Sequence, residues 1–303
     1  MNKWLALAMT LTVAVAADTQ EQPAAQDPPG AADFRAGTEA VKKNDFDAMI
    51  VSFEKALAAN STLFHSHYYL GYAYRSKQNW TKCGDNFSQF LQKLGDQNAP
   101  TEKANATKEG GLCFARAESY GKAIPLLQTA AAANPNDALI HNSLGISLTR
   151  ENRDAEAEVV FSKVIQLKPE IANPYYFAGR VNFYKQDLAK AEPRLMKYLE
   201  LDASGTFVPD AHFLLGSIAY QKVDQGGDKA VLYPSVKAHL TKFLELRPNA
   251  PQTPDALYIL GYVAAQEEDN AAAKGYFERF LQLRKEGPQA EEARRFLAEL
   301  TGP

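Results

Sequence analysis

The 303-residue chain predicts an all-α fold made of repeated helix pairs. Three observations carry that prediction. A glycine recurs inside apolar, helix-like segments. A small or modest side chain follows it twelve residues later in most copies, with a large apolar one four further on. Proline stands where the second of two helices should stop, since it cannot continue a helix. Glycine in a helix interior costs about 1 kcal/mol relative to alanine, so its recurrence at one register calls for a neighbour that needs the missing side chain.

From the N-terminus, "MNKWLALAMTLTVAVAAD" has an early Lys3, an apolar run from Trp4 to about Val15, and small residues before Asp18. That layout predicts a secretory signal peptide over residues 1–17, cleaved after Ala16 or Ala17. The run falls short of the ~20 apolar residues that span a bilayer, so no integral membrane segment is expected after cleavage. Residues 18–30, rich in Pro, Gln and Ala, read as a disordered linker. The mature protein is then expected to be exported, periplasmic or extracellular, with its fold starting near Ala31.

From there the repeat glycines are Gly37, Gly71, Gly111, Gly145, Gly179, Gly216 and Gly261, spaced by 34, 40, 34, 34, 37 and 45 residues. The basal period is 34 with insertions, and a fixed period of this size marks a repeat array. Twelve residues on stand Met49, Cys83, Ala123, Ala157, Ala191 and Ala273; four further stand Phe53, Phe87, Leu127, Phe161, Leu195 and Phe277. Pro135, Pro169 and Pro248 close second helices. In the sixth copy Pro248 places the second helix at about Val236 to Leu246, leaving some eight extra residues around "KVDQGGDKAVLYP".

This pattern resembles the tetratricopeptide repeat family over roughly residues 31–285. In the copy at 141–169, Leu144, Gly145, Ala157, Phe161 and Pro169 match the family's marks in register. The resemblance implies a right-handed α-solenoid of about seven helix-turn-helix repeats. Gly145 and Ala157 are then expected to be the small pair that lets two helix backbones approach. Such arrays need a cover with a polar outer face, and "PQAEEARRFLAELTG" within residues 286–303 fits a C-terminal capping helix.

Catalysis is not expected. His67, His141 and His212 each fall four residues before a repeat glycine, too far apart to converge on a metal, and read as packed, hydrogen-bonded rings. No nucleophile elbow, phosphate loop or dinucleotide fingerprint occurs. The carboxylates are scattered as on solvated helix faces, and no metal or cofactor is expected. A net charge of −3 gives no reason to expect nucleic acid.

The family resemblance implies instead a concave groove lined by the first helix of each repeat, at positions three before, one after, and four to five after the glycine. Those positions hold Tyr68, Tyr72, Arg75, Lys108, Arg116, Asn142, Arg150, Tyr176, Arg180, Phe183, Tyr184, Phe213, Tyr220, Tyr258 and Tyr262. No acid appears among them. The expectation is a basic, amide-bearing middle with aromatic flanks, holding an extended and acidic peptide or partner protein. A carbohydrate or cell-wall ligand stacked on the aromatics is the alternative. Lys108 and Asn142 match part of a family clamp for a free carboxylate, the rest of which is absent. "VPDAHFLLG" and "TPDALYILG" resemble repeats of bacterial envelope proteins, which implies an envelope role. Cys83 and Cys113, the only cysteines, lie on adjacent helices, where a disulfide and two buried thiols fit equally.

Overall fold

The structure, a computed structural model, describes residues 27–300. The expected signal peptide and residues 18–26 of the linker lie outside the described residues. The chain divides into two compact units, residues 1–153 and 154–303. The first contains α1 (Ala31–Lys43), α2 (Phe46–Ala59), α3 (His65–Ser76), α4 (Trp80–Leu94), α5 (Pro100–Arg116), α6 (Tyr120–Ala133) and α7 (Ala138–Arg150). The second contains α8 (Asp154–Leu167), α9 (Ala172–Tyr184), α10 (Leu188–Leu201), α11 (Val208–Asp224), α12 (Lys229–Leu246), α13 (Thr253–Gln266), α14 (Asn270–Leu283) and α15 (Pro288–Leu300). No strand occurs among the described residues.

Within the two units, six of the repeat glycines, Gly37, Gly71, Gly111, Gly179, Gly216 and Gly261, sit on odd-numbered helices and face the following even-numbered one. A methyl group added at Gly37 would lie 2.7 Å from the Phe53 ring; at Gly71, 2.8 Å from Phe87; at Gly261, 2.8 Å from Phe277. Leucine plays the same part at Gly111 (Leu127, 2.9 Å), Gly179 (Leu195, 2.9 Å) and Gly216 (Leu240, 2.6 Å). The space above each glycine is thus filled by the large residue of the second helix, not by the small one four positions earlier. This corrects the small-pair expectation. The small residues Cys83, Ala123, Ala191 and Ala273 are fully buried, and serve the hairpin by adding little bulk beside the ring or leucine. Gly145 belongs to the first unit and Ala157 to the second, so the other six copies establish the contact.

The turn of each hairpin is equally regular. Asn44, Gln78, Glu118, Asn152, Gln186 and Glu268, each seven residues after a repeat glycine, take left-handed φ values of 54° to 62°. The next residue starts the second helix, and four of these are side-chain caps: Asp45, Asn79, Asp187 and Asp269 accept the backbone N–H of the residue three further on. Glycine replaces the left-handed residue in the sixth hairpin, at Gly226 (φ 89°).

That sixth hairpin departs from the sequence expectation. Its second helix starts at Lys229, not near Val236, so the extra residues lengthen helices instead of forming a loop. Asp228 caps α12 by accepting from the Ala230 N–H. Burial of Tyr233, Val236 and Leu240 along one face offsets the backbone bond lost at Pro234. At the C-terminus α15 covers α13 and α14, burying Ala290 and Ala293 and stacking Phe296 on Phe277 with centroids 5.3 Å apart.

Gly71→Ala should cost about 1–3 kcal/mol, because Phe87 cannot retreat within a packed hairpin. Gly275→Ala, in the interior of α14 with nothing within 4 Å of the new methyl, should gain about 0.5–1 kcal/mol. Urea unfolding of both variants checks the contrast.

Candidate functional site

In the first unit α3, α5 and α7 touch in succession and share one face. Tyr68 and Tyr72 stand one turn apart on α3, half-buried, with hydroxyls 3.4 Å apart. Asn105 on α5 donates to the Tyr68 hydroxyl at 3.4 Å. Burial and the Tyr68 hydroxyl raise the Tyr72 phenol well above its ordinary range, so it stays a neutral hydrogen-bonding group.

The cations of this unit do not form a bare stripe. Arg75 meets Glu109 at 3.1 Å, and Lys108 meets Asp137 at 2.7 Å. Asp137 also caps α7 through the Leu139 and Ile140 N–H groups. Burial works against its ionisation, but Lys108 and those backbone donors prevail and hold the carboxyl below its usual range. The expectation of uncompensated cations is corrected at these two positions. The acids come from the residue beside Lys108 and from a helix cap, neither of which is a first-helix groove position. Arg116 lies over the Trp80 ring at 4.8 Å, and Arg150 is exposed at the end of α7. Asn142 is half-buried, and its Oδ1 is buried without a hydrogen-bond partner.

In the second unit three aromatics expected to line a groove belong to the core. Tyr176 is 4% exposed and stacks on Phe207 at 4.4 Å. Its hydroxyl is pushed up to about 12 by burial and by Asp210, against the pull of Arg180. Phe183 and Tyr258 are 8% and 7% exposed. The loop residue Phe207 enters beside Tyr176, and α15 covers Tyr258. Neither partner occupies a groove position of the repeat, so register alone did not reveal the burial. Phe213 is partly buried against Phe243, and Arg180 lies 5.9 Å from the Phe177 ring. Tyr184 alone of this group is broadly exposed, at 65%. Tyr220 and Tyr262 remain half-buried and meet edge to face at 5.7 Å.

Two features lay outside the first-helix register. Cys83 on α4 and Cys113 on α5 are joined by a disulfide, with Cα atoms 5.9 Å apart and both residues buried. In the chain-entropy model a bridge closing a loop of this size stabilises by about 3–4 kcal/mol. His212 on α11 meets His239 on α12, Nδ1 to Nδ1, at 2.9 Å. His67 pairs likewise with Asn86 at 2.9 Å, and His141 with the Pro135 carbonyl at 3.0 Å. Among the described residues no three His, Cys, Asp or Glu side chains converge as a metal site, and no helix is long and apolar enough to cross a membrane.

The second unit should lose stability in mild acid. Burial, then His239 and Lys242, depress His212 to about 4, and burial depresses His239 as well. The unfolded chain therefore takes up more protons below pH ~6.5. Stability should hold above pH ~6.5 and fall as the pH drops toward about 4. Thermal melts across that range should show the slope, and His212→Leu with His239→Leu should flatten it.

Residues 111–170 match a family model described as tetratricopeptide repeat. A peroxisomal targeting signal receptor of Kluyveromyces lactis is 41% identical over 66 residues, 22% of this chain and 12% of that protein. The chain thus spans about an eighth of that relative's length. Among solved structures, the C-terminal part of a repeat-containing protein from Cytophaga hutchinsonii superposes with a TM-score of 0.55 at 16% identity, covering 86% of this chain and 98% of that one. Pseudomonas aeruginosa PilF gives 0.50 at 18% identity, covering 77% and 96%. At such identities the two structures are similar to this one in fold alone.

Proposed function

The chain is a tetratricopeptide repeat protein, and we propose that it is an exported, non-enzymatic scaffold that holds an extended segment of a partner protein against its first-helix faces. The family mediates protein–protein interaction, and that much is common to its members. The observation that carries the finer reading is Asn142, whose buried Oδ1 has no partner on a face bearing Lys108, Tyr68 and Tyr72. A buried carbonyl oxygen left unpaired costs about 1–3 kcal/mol, and a peptide N–H would satisfy it. The receptor resembled over 66 residues is named for recognising a targeting signal, which supports a peptide ligand here. An acidic ligand for the first unit rests on Arg116 and Arg150, the cations there without a carboxylate partner in the groove register.

Export is supported by the apolar N-terminal run and by the Cys83–Cys113 bridge, since disulfides persist in oxidising compartments. The resemblance of "VPDAHFLLG" and "TPDALYILG" to envelope repeats points to the bacterial envelope as the place of work. A glycan ligand has little to stand on, because Tyr176, Phe183 and Tyr258 are buried.

Asn142→Ala should weaken partner capture by about fivefold or more, the worth of one hydrogen bond, while leaving the melting temperature equal or higher. Arg116→Glu with Arg150→Glu should abolish capture of an acidic partner and shift stability by under about 0.5 kcal/mol. Capture that survives both sets of changes would overturn the reading. Mass spectrometry of the exported protein should find a new N-terminus after Ala16 or Ala17, and deleting residues 1–17 should retain the protein in the cytoplasm.

A further inference from the structure

At the C-terminal end of the second unit, α11, α13 and α15 bring together a face whose charge is opposite to the one the groove register suggests. Tyr220 and Tyr262 meet edge to face at 5.7 Å, and Tyr262 meets Phe296 of α15 at 6.0 Å. The Tyr258 hydroxyl donates to a Glu292 carboxylate oxygen at 2.5 Å. Asp224, at the exposed end of α11, acts on Tyr220 together with Glu292. Burial first, and then these carboxylates and neighbouring phenols, raise Tyr220; burial and Glu292 raise Tyr258. Neither carboxylate has a Lys or Arg at ion-pair distance among the described residues.

A second, independent feature points the same way. Tyr233 on α12 is 4% exposed, and its hydroxyl is buried without a hydrogen-bond partner. It lies within electrostatic reach of Glu267, which is paired with Lys237, and of Asp224 and Tyr220. Lys229 Nζ lies over the Tyr233 ring, 6.0 Å from its centroid, and donates to Gln266 Oε1 at 3.4 Å. The hydroxyl is therefore an unsatisfied polar atom near one uncompensated carboxylate, Asp224, and near the Tyr220 ring. An ammonium or guanidinium group satisfies all three at once: it neutralises carboxylate charge, donates to an oxygen and lies against the negative face of a phenol ring.

We propose that this face, formed by Tyr220, Tyr262, Glu292 and Asp224, with the unsatisfied Tyr233 hydroxyl near it, takes the cationic side chains of a basic, extended peptide segment. The proposal rests on the peptide-scaffold reading and gives the second unit its own ligand chemistry. The unpaired carboxylates exclude an acidic segment from this end by like-charge repulsion. The Tyr220 and Tyr262 rings present aromatic faces to the cationic side chains.

Fluorescence anisotropy with the full chain tests it, using two labelled decapeptides, one alternating Lys and Ser and the other alternating Glu and Ser. The Lys–Ser peptide should bind and weaken as salt rises from ~0.05 M to ~0.5 M. Asp224→Asn with Glu292→Gln should reduce its affinity about tenfold or more, and Tyr262→Leu severalfold. Asp224→Asn alone alters an exposed helix end, cannot disturb the core, and should still produce a measurable loss. A Lys–Ser peptide that fails to bind, or binds the double variant as well as the parent, overturns the proposal. The scaffold reading is judged separately, by partner capture and its loss in Asn142→Ala, so the two can fail independently.

Discussion

The contact between a repeat glycine and the ring or leucine facing it fixes the geometry on which the rest of the protein depends. At Gly71 the Phe87 ring reaches to 2.8 Å of where a methyl would stand, so the two helices close to a distance set by an aromatic thickness and a bare backbone. Once that distance is fixed, the turn must be short. It is closed by one residue in the left-handed region and one cap, at the same register in nearly every copy. Glycine would be the least strained choice at the left-handed position, yet Asn, Gln and Glu occupy it, and the strain of about 1 kcal/mol in each is carried by the packed hairpin.

Close packing of helices has a second consequence, which concerns charge. The first helices of successive repeats touch, so a lysine or arginine on one reaches an acid on the next. Arg75 on α3 finds Glu109 on α5, and Lys108 on α5 finds Asp137 at the start of α7. These pairs are half-exposed, where ion pairs contribute at most about 1 kcal/mol. Their larger effect is on recognition, because a compensated cation attracts an acidic ligand less than a bare one. The C-terminal end of the second unit is the converse case: Glu292 and Asp224 stand among tyrosines with no Lys or Arg at ion-pair distance among the described residues. The disulfide between α4 and α5 restrains the hairpins of the first unit, where α12 of the second carries its insertion as added helix.

The sequence by itself determined the period, the pairing of helices and the capping helix; which residue of the second helix lies over the repeat glycine was settled by the structure. These depend on backbone repetition, in which a residue's role follows from its offset within 34 residues. Even the reassignment of the glycine's neighbour from the small residue to the large one stayed within that register. Tertiary structure decided which polar and aromatic side chains meet. Glu109, Asp137, Glu292 and His239 all lie off the groove register, and each reaches its partner through several rotatable bonds across an interhelical gap. Tyr176 and Tyr258 show the same limit from the other side: a groove position in the repeat became core because Phe207 from a loop and α15 from the cap cover it. Offsets along one chain describe a helix face, but they do not describe how far a side chain extends from that face or what a neighbouring segment lays over it. That is why the array was legible and the charge of its first-helix faces was not.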